Sequence, residues 1–180
     1  MMTQENEFGY YADKDLQVLE MSYVGDRISM VAVLPAKVDG INELEETFSS
    51  AKLNHRIAGL QKTRLQVWFP KFKMTSEFDL GDALETLGMK DAFSPTLADF
   101  SGMDGTRNLY ISAVIHKAFV EVNEEGAEAV AATAIGIKAT AFAPPPQFVA
   151  DHPFLFFIRD RKTGSILFMG RVASPASPAE

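Results

Sequence analysis

The chain has 180 residues, of which 47% are hydrophobic and 23% are charged, a balance typical of a folded globular domain. Its 17 Lys and Arg residues against 24 Asp and Glu residues leave a net charge of −7, which argues against nucleic acid as a partner. The absence of cysteine excludes disulfide bonds, thiolate metal sites and a cysteine nucleophile. The length alone predicts one domain.

The N-terminal residues carry no recognisable targeting signal. Residues 1–10 are polar and acidic, without the apolar core of a secretion signal. Elsewhere the chain has no stretch near the roughly 20 apolar residues that a membrane-spanning helix needs. We therefore expect no membrane partner.

The first elements that the sequence predicts form a β-hairpin. Residues 16–24 and 27–34 are apolar runs on either side of Gly25-Asp26. A two-residue connection that begins with glycine is a strong hairpin signal. Pro35 ends the second strand, because proline cannot donate a hydrogen bond to a neighbouring strand.

The middle of the chain alternates between short helices and strand. Helical spacing of apolar residues predicts one helix over 41–48 and a second over 53–60. Residues 64–73 return to a strand pattern. Asp79 is a good N-cap for a further helix that ends near Gly88.

Three more apolar runs predict strands. Residues 108–122 form a long run rich in β-branched and aromatic side chains, which predicts a long and largely buried strand. Residues 154–158 and 165–172 flank a polar turn and predict a C-terminal hairpin. Together these elements predict an α+β fold.

The sequence lacks the common catalytic and nucleotide-binding motifs. Its three histidines, His55, His116 and His152, lie far apart, and each is expected to be structural or exposed. Because His116 falls inside an apolar strand pattern, we expect it to be buried and hydrogen-bonded there. No catalytic role can be assigned to any of the three from these patterns.

Four carboxylates, Asp99, Asp104, Glu124 and Glu125, are the candidates for a metal site. Their positions in loops and at a strand end are more typical of charges that face solvent. We therefore expect neither a metal ion nor a cofactor.

Residues 126–134, GAEAVAATA, are nearly all small, and two interpretations stay open. Alanine favours a helix, whose N-terminal turn Glu124 and Glu125 would suit. In a strand, alternate side chains would share one small, uncharged face, with Glu128 on the opposite face. That face consists of Ala127, Ala129, Ala131, Thr133 and Ile135. Such a strand could enter a packed sheet late.

Several motifs in the same order make the chain similar to the serpin family, the serine protease inhibitors that act by conformational trapping. HKAFVEVNEEGAEAVAAT (116–133) resembles the end of a central-sheet strand and the hinge of the reactive loop. DHPFLFFIRD…GSILFMGRV (151–172) resembles the C-terminal hairpin. FPKFKMTSEFDLGDALETLGMKDAFS (69–94) and ADFSGM (98–103) match as well, and the resemblance ends at about Pro175.

The resemblance implies the C-terminal part of a single serpin domain over residues 1–180. The implied elements are strands of sheets B and C, helices G, H and I, two strands of central sheet A, and a reactive loop at about 124–146. The family fold is longer than this chain. The resemblance therefore implies that the N-terminal half of the fold is a required partner and that the chain is a fragment or a truncated form.

The implied function is inhibition of a serine protease, with a cysteine protease as the alternative target. The protease cleaves the reactive loop, which then inserts into the central sheet as a new strand. The inhibitor is consumed and is not an enzyme. A non-inhibitory, serpin-like binding or chaperone-type protein is the alternative, and an enzyme of unknown type is the third. The family implies an extracellular location, while the cytoplasm stays open because this chain has no signal peptide.

The resemblance also assigns roles to particular residues. The residues that match the hinge and the inserting run are Glu124, Glu125, Gly126, Ala127, Glu128, Ala129, Val130, Ala131, Ala132 and Thr133. Two of them depart from the family pattern: Ala127 stands where Thr or Ser is commoner, and Val130 is bulkier than the usual Ala. The reactive bond is expected between Thr140 and Ala141, or between Lys138 and Ala139 in the alternative register. His116 matches the sheet-opening region, where a buried hydrogen bond would help to control opening.

Overall fold

The computed structural model describes residues 1–123 and 145–175, and they form two compact units. The first unit combines Met1–Phe72 with the described residues from Val122 onward, and the second is Lys73–Glu121. None of the helices in the described ranges is both long enough and apolar enough to cross a membrane.

The described residues form nine strands and four α-helices. The strands are β1 (Met2–Ala12), β2 (Leu16–Ser22), β3 (Ile28–Pro35), β4 (Gln61–Phe69), β5 (Phe72–Asp79), β6 (Ile115–Val122), β7 (Gln147–Val149), β8 (Phe154–Asp160) and β9 (Ile166–Val172). The helices are α1 (Ile41–Thr47), α2 (Ser50–Ala58), α3 (Gly81–Thr86) and α4 (Ser101–Asp104), with a 3-10 turn at Asp91–Phe93.

The first unit is built on a seven-stranded sheet with the strand order β7-β4-β1-β2-β3-β8-β9. β7 runs parallel to β4, and every other neighbouring pair is antiparallel. β3 and β8 lie side by side, with Val33 opposite Leu155. Nearly all of β3 is buried, and most of β8 is buried too, so both strands contribute side chains to both faces of the sheet.

One face of this sheet is covered by helices α1 and α2. Leu44 of α1 and Leu53 of α2 join Val18 and Val33 in a buried cluster. Phe48, just after α1, stacks on Phe157 with ring centroids 5.2 Å apart. These short helices are too short to be stable alone, so their stability comes from this apolar packing.

Aromatic rings pack against the opposite face of the sheet. Phe69 and Phe154 lie with ring centroids 5.2 Å apart, and Phe72 lies 5.4 Å from Phe156. Phe154 and Phe156 are almost completely buried. The many phenylalanines of the chain therefore form much of the core on this side.

The two hairpins predicted from the sequence are present. β2 and β3 are joined through Gly25 and Asp26, both with positive φ (88° and 55°). The connection is longer than the two residues predicted, because β2 ends at Ser22 and β3 begins at Ile28, and the Asp26 N–H donates to the Tyr23 carbonyl at 3.0 Å. β8 and β9 form the C-terminal hairpin. The helix predicted from Asp79 is also present, as α3, although Asp79 lies one residue before the N-cap and its Oδ1 accepts a hydrogen bond from the Gly81 N–H at 2.9 Å.

Two strand assignments differ from the prediction. The long buried strand predicted over 108–122 is wrong in extent and burial, because only β6 pairs as a strand and most of its residues are exposed. β6 pairs with β5 in a two-stranded sheet, which leaves most of its side chains uncovered. β1, by contrast, was not predicted. Its polar residues form a long strand through pairing with β2 and β4.

Candidate functional site

The residues expected to carry function fall mostly outside the described residues. These are the hinge and inserting run, 124–133, and both candidate reactive bonds, Thr140–Ala141 and Lys138–Ala139. The described residues define the two ends of this segment, namely β6 before it and β7 after it. These two strands are therefore the described part of the candidate site.

The strand before the loop, β6, presents a polar face in the second unit. Lys117 Nζ lies 3.3 Å from Glu77 Oε2 of β5, and Lys73 Nζ lies 5.3 Å from the ring centroid of Phe119. Lys117 and Phe119 therefore share one face of the two-stranded sheet, and β5 contacts them through charged side chains. Both contacts are exposed, so each contributes little to stability.

His116 lies at the start of β6, next in sequence to Ile115. The prediction that it is buried is wrong for this chain, because His116 is exposed. By strand alternation it shares the face of Ala118 and Val120, opposite to Lys117. Its role in sheet opening stays a prediction.

The strand after the loop, β7, pairs with β4 in the first unit. It pairs in parallel with β4, with Phe148 opposite Val67, and Phe148 is fully buried. The Gln66 N–H donates to the Pro146 carbonyl at 3.1 Å, and the Ala150 N–H donates to the Trp68 carbonyl at 2.9 Å. Hydrogen bonds therefore flank both ends of this short strand.

His152 follows β7 and is mostly buried. Its Nδ1 lies 2.7 Å from Asp151 Oδ1, and its Nε2 lies 2.7 Å from the carbonyl oxygen of Pro35. A catalytic relay would end on a hydroxyl or thiol nucleophile. This histidine instead contacts a carboxylate and a backbone carbonyl, so its role is structural, as the sequence predicts.

The candidate metal ligands that can be described serve the loops around them. Asp99 Oδ1 accepts from the Ser101 N–H at 3.1 Å, and its Oδ2 pairs with Arg107. Asp104 accepts from both the N–H and the hydroxyl of Thr106. Hydrogen bonds from these neighbours lower the pKa of both carboxyl groups. In residues 1–123 and 145–175 no group of three or more Asp, Glu or His side chains is arranged to hold a metal ion.

An ionic contact between the exposed Arg27 and the buried Asp160 joins the two hairpins of the first unit. Arg27 Nε lies 2.9 Å from Asp160 Oδ2, while Asp160 Oδ1 accepts from the N–H groups of Lys162 and Thr163. The Thr163 N–H and the Arg27 guanidinium lower the pKa of Asp160. These contacts fix the turn between β8 and β9 against the end of the β2–β3 hairpin.

The chain is similar in sequence to known proteins. A family profile described as Serpin (serine protease inhibitor) matches residues 1–175. Human Serpin B3 is 46% identical over 97% of this chain and 46% of its own length. Human leukocyte elastase inhibitor is 43% identical over 97% of this chain and 48% of its own length. The chain thus spans about half the length of the curated relatives that it matches.

The solved structure of uncleaved ovalbumin is similar in fold. It superimposes with a TM-score of 0.85 at 32% sequence identity, over 97% of this chain and 47% of ovalbumin. This similarity confirms the predicted α+β fold as part of the serpin fold. The relatives give no support to an extracellular location, and the cytoplasm stays open. The chain belongs to the serpin family.

Proposed function

We propose that this chain is the C-terminal half of an inhibitory serpin and that its target is a serine protease, with a cysteine protease as the alternative. In this proposal the protease attacks the reactive loop at about 124–146, and the cleaved loop inserts into the central sheet as a new strand. The inhibitor is consumed in a single reaction, so it is not an enzyme. Nucleic acid, membrane, metal and cofactor have no part in it.

The composition of the hinge carries the proposal. Between β6 and β7 lies the run GAEAVAATA (126–134), whose alternate residues are small and uncharged. A segment that enters a packed sheet must present such a face, because a buried charge without a partner is costly. The two departures from the family pattern, Ala127 and Val130, are both compatible with insertion: alanine is small, and Val130 falls on the outward face with Glu128.

The reactive bond is proposed between Thr140 and Ala141. Threonine before the bond suits a protease with a small or medium primary pocket, such as an elastase-like or subtilisin-like enzyme. The relative named leukocyte elastase inhibitor is consistent with that class. In the alternative register Lys138 precedes the bond, and the target is then a trypsin-like protease.

Mass spectrometry of the cleaved chain tests the register. We expect an elastase-like protease to release a new N-terminus at Ala141. Cleavage after Lys138, together with a stable complex with trypsin, would instead establish the alternative bond.

Besides the protease, we propose a second partner, the N-terminal half of the serpin fold. The exposed apolar surface of β9 supports this proposal. Every side chain from Ile166 to Met169 is at least 39% exposed, although these residues are apolar and lie in an edge strand. An uncovered apolar edge strand favours association with another chain. In the proposal, the half of the relatives that this chain does not span covers this strand.

The insertion step has a matched pair of tests at neighbouring positions. In a fusion of this chain to the N-terminal half of human leukocyte elastase inhibitor, Ala131→Arg places a charge on the inserting face. Val130→Arg places the same charge on the outward face. We expect Ala131→Arg to convert the fusion into an ordinary substrate, cleaved without a trapped complex, and Val130→Arg to keep trapping.

Equal trapping by both arginine variants would contradict insertion of the loop. Thermal stability distinguishes the alternative function. If the unsubstituted fusion gains no thermal stability after loop cleavage, insertion has not occurred, and the non-inhibitory binding or chaperone-type protein becomes the better account.

A further inference from the structure

The segment between β7 and β8 is attached to β3 by the side chain of His152, at a position where the strand pairing would place a backbone hydrogen bond. β3 and β8 pair so that Val33 lies opposite Leu155. Continuing this register by two residues places Pro35 opposite Pro153. In the same register Arg27 lies opposite Arg161. The Arg161 N–H donates to the Arg27 carbonyl at 2.8 Å, so Arg27 and Arg161 form a hydrogen-bonded pair.

In an antiparallel pair, hydrogen-bonded positions recur at every second residue. From Arg27 they continue through Val33 to Pro35, so the Pro35 carbonyl points toward Pro153. Proline has no N–H, so the ladder cannot provide a donor for this carbonyl. Pro35 is buried, and a buried carbonyl without a donor is costly.

His152 supplies the missing donor. Its Nε2 lies 2.7 Å from the Pro35 carbonyl oxygen, which can only accept, so Nε2 must carry the hydrogen. Its Nδ1 contacts Asp151 Oδ1 at 2.7 Å, and this second contact fixes the orientation of the ring. The His152 side chain is only 11% exposed, whereas that of Asp151 is 62% exposed. The contact with the Pro35 carbonyl is therefore the more shielded of the two.

The position of this contact along the chain gives it a role beyond local stability. Ala150, whose N–H ends the attachment of β7 to β4, is two residues before His152. β7 is a strand of only three residues, so its backbone pairing alone is limited. The contact between His152 and Pro35 therefore holds the chain directly after β7 and limits its freedom to leave β4.

We propose that His152 is a positioning residue, a latch that holds β7 in place at the C-terminal end of the reactive loop. The relevance of this latch to protease inhibition rests on the proposed function. Cleavage of the loop separates β7 from the residues before the cut. The attachment of this end to the first unit then depends on the pairing with β4 and on the latch.

Amide hydrogen exchange in the 180-residue chain tests the latch. His152→Leu removes the donor, and His152→Gln keeps a side-chain N–H that can reach the carbonyl. We expect the Ala150 and Gln66 amides to exchange about tenfold faster in His152→Leu, the cost of one lost hydrogen bond. His152→Gln should restore slow exchange, and the Val31 amide should exchange at the wild-type rate in both variants.

Unchanged exchange at Ala150 and Gln66 in a folded His152→Leu chain would overturn the proposal, as would a failure of His152→Gln to restore it. If His152→Leu does not fold, ¹⁵N NMR of the wild-type imidazole decides. A hydrogen on Nε2 supports the latch, and an unprotonated Nε2 contradicts it. Neither readout uses a protease, so a failure of trapping would overturn the proposed function without affecting these results.

Discussion

The two units of the chain differ in how much apolar surface each buries. Among the described residues, the buried apolar side chains lie in the first unit with one exception, Ala98. The second unit instead exposes large apolar side chains such as Leu87, Leu97 and Phe119. The first unit therefore has a core of its own, whereas the second has surface that only further packing could cover. Substitutions of the same kind should have very different effects in the two units.

Truncation of a phenylalanine should show the largest difference. Phe156 is 1% exposed, and its ring contacts that of Phe72. Phe119 is 49% exposed, and Lys73 Nζ lies over its ring. We expect Phe156→Ala to lower the free energy of unfolding by about 3–5 kcal/mol. Phe119→Ala should cost less than about 1 kcal/mol. Urea unfolding of the two variants measures both, and equal losses would contradict the contrast between the units.

Added volume should distinguish the units as well. A Cβ at Gly170 of β9 would lie 2.6 Å from the ring of Phe156, whereas a Cβ at Gly102 of α4 meets nothing within 4 Å. We expect Gly170→Ala to destabilise the chain by about 1–3 kcal/mol. Gly102→Ala should be neutral or stabilising, because alanine favours a helix. The shift in the urea midpoint tests this, and a tolerated Gly170→Ala would show that the Phe156 ring is free to move.

Removal of the hydrogen bonds at helix N-termini should also have different effects on stability in the two units, but smaller ones. Ser49 Oγ accepts from the Lys52 N–H at 3.3 Å and caps α2, which buries Leu53 in the core. Asp79 supports α3, which buries no residue. We expect Ser49→Ala to lower the free energy of unfolding by about 1 kcal/mol. Asp79→Ala should loosen α3 locally, as seen by faster exchange of its amides, and leave the urea midpoint of the first unit unchanged.

The smallest effect on the free energy of unfolding is expected when acid protonates Asp160. Because the pKa of Asp160 is lowered in the folded chain, its ionised form stabilises the fold above the ordinary carboxyl pKa. That stability is lost as the pH falls below about 4 and passes through the lowered value. Asp160→Asn should therefore be less stable at neutral pH and should depend less steeply on pH in acid. Urea midpoints at several pH values measure this, and parallel curves for both proteins would contradict it.

The sequence predicted the elements whose formation depends on residues close together in sequence. The β2–β3 hairpin follows from Gly25-Asp26, and the C-terminal hairpin follows from two apolar runs around a polar turn. β1 could not be predicted in the same way. Its residues are mostly polar, and its strand is made by pairing with β4, as between Glu5 and Gln66. The apolar pattern of 108–122 predicted burial, but burial depends on what covers β6.

The candidate site was predictable only through its resemblance to a family. The hinge and the reactive bond follow from motif matching and lie outside the described residues. The contact of His152 with Pro35 could not be predicted, because the two residues are 117 positions apart in sequence. A signal was nevertheless present. Pro153 follows His152 directly, and Pro35 ends β3, so two prolines meet where a strand pair would need a donor.

We propose that this chain traps a protease once the other half of the serpin fold is present. The most direct measurement is a denaturing gel of an elastase-like protease mixed with either the 180-residue chain or its fusion to the N-terminal half of human leukocyte elastase inhibitor. We expect a detergent-stable complex with the fusion and only loop cleavage with the chain alone. A stable complex with the chain alone, or cleavage of the fusion without any complex, would contradict the claim.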